Sequence, residues 1–341
     1  MHEFIGLESL FVFLVLSLYM FSAAYLPQVK VKVIHQTGIA VLLGLLAGLV
    51  VKVATNQAVQ FDEGPFFYFI LPPIVFSAGY NMKRKRFFKN IGYIASFGLI
   101  GTVLAFVVNT YMAYAYNEAS GLGLSDREVL VLGAALSATD TVAGLTIVSE
   151  KEAPKLHSVL FGEGVVNDAV AIILFKSIME SKTVSLFDAS ALSFTVEVLE
   201  NCVLSCALGL AFGVGSALIF KVCEALSSNS IHEISLLFFM ANIAYITAEF
   251  LGLSGVIALL ICAIVMAHYT WYNLSSKAKS GSAQSFQLVG EICESVVFVY
   301  LGLCTFGFLP NHWSLGLVFY MVFAVLLSRA VGILLLSGLL K

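Results

Sequence analysis

Eleven apolar stretches of about 16 to 31 residues recur along the chain, separated by short polar, proline or glycine breaks. At about 1.5 Å of rise per helical residue, stretches of that length cross most or all of a hydrocarbon layer roughly 30 Å thick. They predict helices at approximately 5–26, 37–54, 65–80, 90–116, 128–149, 157–180, 192–222, 231–251, 254–272, 287–309 and 314–340. Of 341 residues, 60% are hydrophobic and only 11% are charged, whereas a soluble domain carries roughly a quarter charged residues. The chain lacks the polar surface to face water. The expected class is an all-α polytopic membrane protein, with residues 1–341 as a single transmembrane domain and no substantial soluble part.

Orientation follows from the basic residues in the short loops. Lys30, Lys32, Lys83, Arg84, Lys85, Arg86, Lys89, Lys151, Lys155, Lys221, Lys277 and Lys279 fall in alternate loops, and only Lys52, Arg127 and Lys182 fall in the others. The bias puts the first set in the cytosol and the N-terminus in a lumen or outside the cell. The sequon Asn273-Leu274-Ser275 is then cytosolic and should carry no glycan. The start, MHEFIGLESL, lacks the basic region of a cleaved signal, so the first apolar run reads as a retained helix. Six cysteines without a C-x-x-C pair read as small buried thiols. A net charge of −3 points to no nucleic-acid partner, and no nucleotide-binding glycine loop is present.

Six charged residues remain once helix ends and loops are set aside: Asp140, Glu163, Asp168, Glu249, Glu294 and Arg329. An ionised side chain at the bilayer centre costs at least about 2.5 kcal/mol. One arginine cannot pair five acids, so the others must be protonated, face water or bind a cation. Arg329 needs a carboxylate, with Glu163, Glu294 and Glu249 as candidates. Glu249 and Glu294 have structural and ion-path readings of equal weight. In LFGEGVVNDAVAIILF (160–175), Glu163 and Asn167 share a face, while Asp168 lies about 140° round the helix from Glu163. One acid can therefore be tied into structure while the other faces a cavity, where it holds a proton or a cation but not both. The run VLVLGAALSATDTVAGLTIVSE (129–150) is poor in helix formers at its centre and rich in hydroxyls at Ser137, Thr139 and Thr141. Locally unwound backbone is tolerated at membrane depth where it lines a cavity.

These residues carry a resemblance. SATDTVAGLTIVSEKEAPKLHSVLFGEGVVNDA (137–169), LPPIVFSAGYNMKRKRFFKNIG (71–92), AEFLGLSGVIALLICAIVMAHYTWYNLS (248–275) and the pair ESVVFVYLGL and SRAVGILLLS together span most of the chain. The chain resembles the sodium/proton exchangers of the monovalent cation/proton antiporter superfamily, nearest the plant-vacuolar, endomembrane type. The resemblance implies a sodium/proton-antiporter fold of thirteen helices with an inverted repeat, in which two broken helices cross beside the helix at 157–180. It also implies a homodimer in membrane lipid, alternating access and no cofactor beyond the transported Na+ or K+ and H+. Asp168 matches the carboxylate that alternately binds cation and proton. Asn167 matches its partner in electroneutral members, and Thr139 and Asp140 match the helix break. Glu163 and Arg329 match a buried acid and base that steady the core.

The implied cation site is Asp168, Asn167, Asp140, Thr139 and Gly164, with Glu294 and Glu249 along a path. Three departures stand out. Thr141 replaces a common proline, Gly164 stands where many animal members have serine, and Leu335 replaces another proline. The chain stops at Lys341, where the last two helices and a cytosolic tail are expected, so a fragment or truncated isoform is expected. The function implied is secondary antiport of Na+ or K+ for H+, electroneutral because one carboxylate holds one charge at a time, regulating pH and cation content from an endomembrane. The main alternative is a truncated, non-transporting dimerisation partner. An intramembrane protease using Asp140 and Asp168 lacks its G-x-G-D signature, so no enzyme activity is expected.

Overall fold

The computed structural model describes residues 12–22, 24–25, 36–56, 59, 61–139, 141–180, 190–223, 228–308 and 314–339. Among these, all regular structure is helical. The elements are α1 (Val12–Ser22), α2 (Gln36–Thr55), α3 (63–80), α4 (Arg84–Lys89), α5 (Ile91–Ser120), α6 (Asp126–Ala135), α7 (Val142–Ile147), α8 (Pro154–Glu180), α9 (Ser190–Val222), α10 (Ser230–Phe250), α11 (Gly255–Asn273), α12 (Ser276–Cys304) and α13 (Leu315–Leu339). Every predicted apolar stretch has its helix, and one of them is divided into α6 and α7. Single π-turns interrupt α3 at Phe66–Ile70, α5 at Ser96–Ile100 and α11 at Met266–Thr270.

Eight of the described helices are long and apolar enough to cross a membrane. Only 22% of the most apolar window of α13 is buried, although its mean hydropathy is 2.3. Phe319 and Leu334 are more than 70% exposed there. A contiguous apolar surface of this kind suits hydrocarbon and not water.

The chain divides into two compact units. One comprises residues 1–77 and 284–313 and the other comprises residues 78–283 and 314–341. In the first, Val15 and Tyr19 of α1, Ala40 and Ala47 of α2, and Val299 and Leu303 of α12 form the core. In the second, α6 packs on α8 through Leu130, Ala134, Val170, Leu174 and Ile178. The other side of α6 meets α5 and α13 through Ala113, Val129, Met321 and Ala324. α9 lies close against α11, and a Cβ at Gly209 would come within 2.3 Å of the Ala258 carbonyl. Small residues permit such backbone approach where lipid supplies no hydrophobic drive between helices.

Helix ends follow from local chemistry. Ser125 and Glu128 form a reciprocal capping box at the start of α6. The narrow division between α10 and α11 is real: Gly252 takes φ +70°, and Ser254 caps α11.

Candidate functional site

The site grows from the break between α6 and α7. Helix ends at Ala135 and resumes at Val142, as the hydroxyl-rich centre of that stretch predicts. Leaving the helix frees backbone groups that must find partners away from water. Asn109 Nδ2 on α5 donates to the Leu136 carbonyl at 3.0 Å. Arg329 Nη2 on α13 donates to the Ser137 carbonyl at 2.9 Å. The Ser137 hydroxyl turns back to Ala134 O at 2.7 Å.

Asn167 of α8, fully buried, completes the accounting. The Thr102 hydroxyl donates its single proton to Gly98 O at 2.5 Å, so toward Asn167 it accepts. This orients the amide from its network. Nδ2 donates to Thr102 Oγ1 at 2.7 Å and to Ser137 O at 3.3 Å, while Oδ1 accepts from Arg329 Nη2 at 2.7 Å and from the Thr139 N–H at 3.0 Å. All four hydrogen-bonding positions of the amide are used. Asn167 therefore splints the broken segment to α8.

Glu163, one turn earlier on α8, accepts from Arg329 Nη1 at 2.9 Å. Of the three candidate partners for this arginine, the fold brings Glu163. The guanidinium thus joins α13, α8 and the break, and its Nε has no hydrogen-bond partner among the described residues. Thr139, Glu163 and Arg329 form the polar wall of a cavity of about 340 Å³ whose other side is largely apolar.

Asp168 lies on a different face of α8. It is exposed, while Asn167 beside it is sealed. Glu163 and Asp168 therefore have separate surroundings, as their angular separation predicts, but the acid that lines the cavity is the ion-paired Glu163, and Asp168 is not among the residues of that wall. Gly164 is buried directly beneath Thr141, and a Cβ there would fall 2.1 Å from Thr141 Oγ1. Asp140 lies outside the described residues. Glu294 lies on α12 in the other unit.

The count of one intramembrane base needs correction. Lys176, near the end of α8, donates to Glu249 Oε1 at 2.6 Å. The same oxygen accepts the Gly255 N–H at 3.0 Å and so helps to start α11. Glu249 is thereby tied into the helix packing. Glu233, 1% exposed in the first turn of α10, accepts from the Ser275 N–H at 3.0 Å and from its hydroxyl at 2.5 Å. Thr102 and Asn109 also belong to the site. Their signal was available, because Thr102, Asn109, Thr110 and Asn117 fall on one face of α5.

Among the described residues, no cluster of three or more His, Cys, Asp or Glu could hold a metal ion. The arrangement is a backbone break whose freed groups are held by buried side chains, with the exposed Asp168 next to one of them, Asn167.

Residues 11–341 match the family described as "Sodium/hydrogen exchanger, transmembrane". Sodium/hydrogen exchanger 3 of Arabidopsis thaliana is 35% identical over 77% of this chain and 54% of its own length. Sodium/hydrogen exchanger 1 of Oryza sativa subsp. japonica is 34% identical over 79% of this chain and 51% of its own length. The chain thus spans about half the length of these curated relatives. The sodium proton antiporter MjNhaP1 of Methanocaldococcus jannaschii superposes with a TM-score of 0.73 at 16% identity, over 98% of this chain and 79% of that one. The fold is therefore the sodium/proton-antiporter fold, and this multi-pass membrane chain belongs to the sodium/hydrogen exchanger family.

Proposed function

We propose that the protein exchanges a monovalent cation, Na+ or K+, for H+, with Asp168 as the group that carries each in turn. The observation that supports this most directly is the contrast on α8: Asp168 is exposed while Glu163 is held by Arg329 and Asn167 is saturated with hydrogen bonds. Admitting a cation at Glu163 would break its pair with Arg329, whereas Asp168 lies at the exposed surface of α8. Oxygens of Thr139 and Asp140 complete the cation's shell in this reading, and Gly164 leaves room for the broken segment to lie against α8. Asn167 positions Asp168 and the break and carries no charge of its own. One proton or one monovalent cation then neutralises the site, so exchange is one for one and electroneutral. In this reading the protein is a homodimer in an endomembrane, as the resemblance to the plant-vacuolar type implies, regulating pH and cation content, and the bias of basic residues puts the N-terminus in the lumen. Glu294 serves as a candidate acid on the path.

The test is cation-driven recovery of a quenched pH dye in proteoliposomes. The protein should respond to Na+ or K+ independently of an imposed voltage, and Asp168→Ala should abolish the response. Voltage-dependent turnover would remove the electroneutral reading, and full activity in the alanine variant would remove Asp168 from the site.

A further inference from the structure

Away from the helix break, a second cavity of about 1240 Å³ opens between α4, the loop at 148–153 and the end of α11. Its basic side comes from consecutive residues of the KRKRFFK run: Lys83, Arg84, Lys85 and Arg86. Glu150 offsets part of that charge by pairing with both Lys83 and Arg86. Its carboxyl is held below the ordinary carboxylate value by the hydrogen bond from Lys83, so it stays ionised in that role. Among the described residues no carboxylate lies within ion-pair distance of Arg84 or Lys85.

Arg84 is presented rather than spent. Its guanidinium lies 4.5 Å from the Trp271 ring centroid, so stacking occupies the flat face and leaves the N–H edges for oxygen ligands. Burial pushes the guanidinium below its usual value, the mark of a cation short of water. The opposite side is aromatic and apolar. Tyr269 and Tyr272 are 55% and 63% exposed at the end of α11, Phe88 is 43% exposed, and Leu210 contributes an alkyl surface. Tyrosine and tryptophan at the end of a membrane helix sit at headgroup level. A bias of positive charge alone would orient the chain without a cavity or a stacked arginine.

We infer that this cavity binds the phosphorylated headgroup of an anionic membrane lipid, with Arg84 and Lys85 gripping phosphate oxygens and the aromatic rim meeting the glycerol and acyl chains. The site is separate from the proposed exchange site and does not rest on transport. More than one phosphate is favoured, because Glu150 compensates only part of the positive charge and clusters of this size suit multivalent headgroups.

The chain purified in detergent is titrated with short-chain phosphatidylinositol bisphosphate, phosphatidylcholine and soluble inositol trisphosphate, with binding read by native mass spectrometry. The bisphosphate lipid should bind most tightly, and Arg84→Gln/Lys85→Gln should weaken it by roughly thirtyfold. Lys89→Gln/Lys277→Gln, which removes as much charge outside the cavity, should change it little. Arg84→Lys preserves charge but loses the stacked fork, and should weaken binding by about tenfold even if the double variant fails to fold. Equal losses in the cavity and control variants, or no preference over phosphatidylcholine, would overturn the site. Soluble inositol trisphosphate binding as tightly as the lipid would overturn its assignment to membrane lipid.

Discussion

Arg329 concentrates more of the buried polar chemistry than any neighbour. It satisfies Glu163 at 2.9 Å, the Ser137 carbonyl at 2.9 Å and the Asn167 amide oxygen at 2.7 Å. Removing one partner of a buried pair costs about 3–5 kcal/mol, because the remaining charge is left uncompensated. Arg329→Met should lower thermal stability in detergent by that order. Glu163→Gln/Arg329→Met should recover a good part of it, since the uncompensated carboxylate is gone. Additive losses would show that the two residues are not energetically coupled. The need of Arg329 for a carboxylate was legible from its depth in an apolar run. Its choice of Glu163 was not, because 166 residues separate the two and three acids satisfied the chemical requirement.

The break between α6 and α7 behaves as a unit held from three sides by α5, α8 and α13. Its position was readable in the cluster of Ser137, Thr139 and Thr141, whose hydroxyls compete with helical backbone bonds. Thr141, the departure from a common proline, comes so near α8 that only glycine fits at 164. Gly164→Ala should therefore destabilise the protein by about 1–3 kcal/mol through overpacking. Thr141→Ala in the same chain should restore most of that loss, because the hydroxyl that meets the new methyl is removed. A thermal-shift comparison of the single and double variants checks it, and an equal loss in both would remove the steric account. The two glycine and threonine positions lie far enough apart in sequence, 23 residues, that no local pattern pairs them.

At the scale of the whole molecule, membrane character was dictated by composition and by the length of the apolar runs. The same reading predicts that the sequon carries no glycan. The fold adds a local reason, since Asn273 Nδ2 donates to the Ala217 carbonyl at 2.9 Å and is not free to accept a sugar. Protein expressed in a glycosylating host should show no mobility shift on deglycosidase treatment; a shift would overturn the orientation. The amino-acid order by itself determined the helices and the position of the break, because each depends on neighbours within a few turns. Which buried charge meets which, Glu163 with Arg329 and Lys176 with Glu249, was decided only by the tertiary structure. Pairing depends on the depth and rotation of each helix against the others, and packing across the bundle sets both.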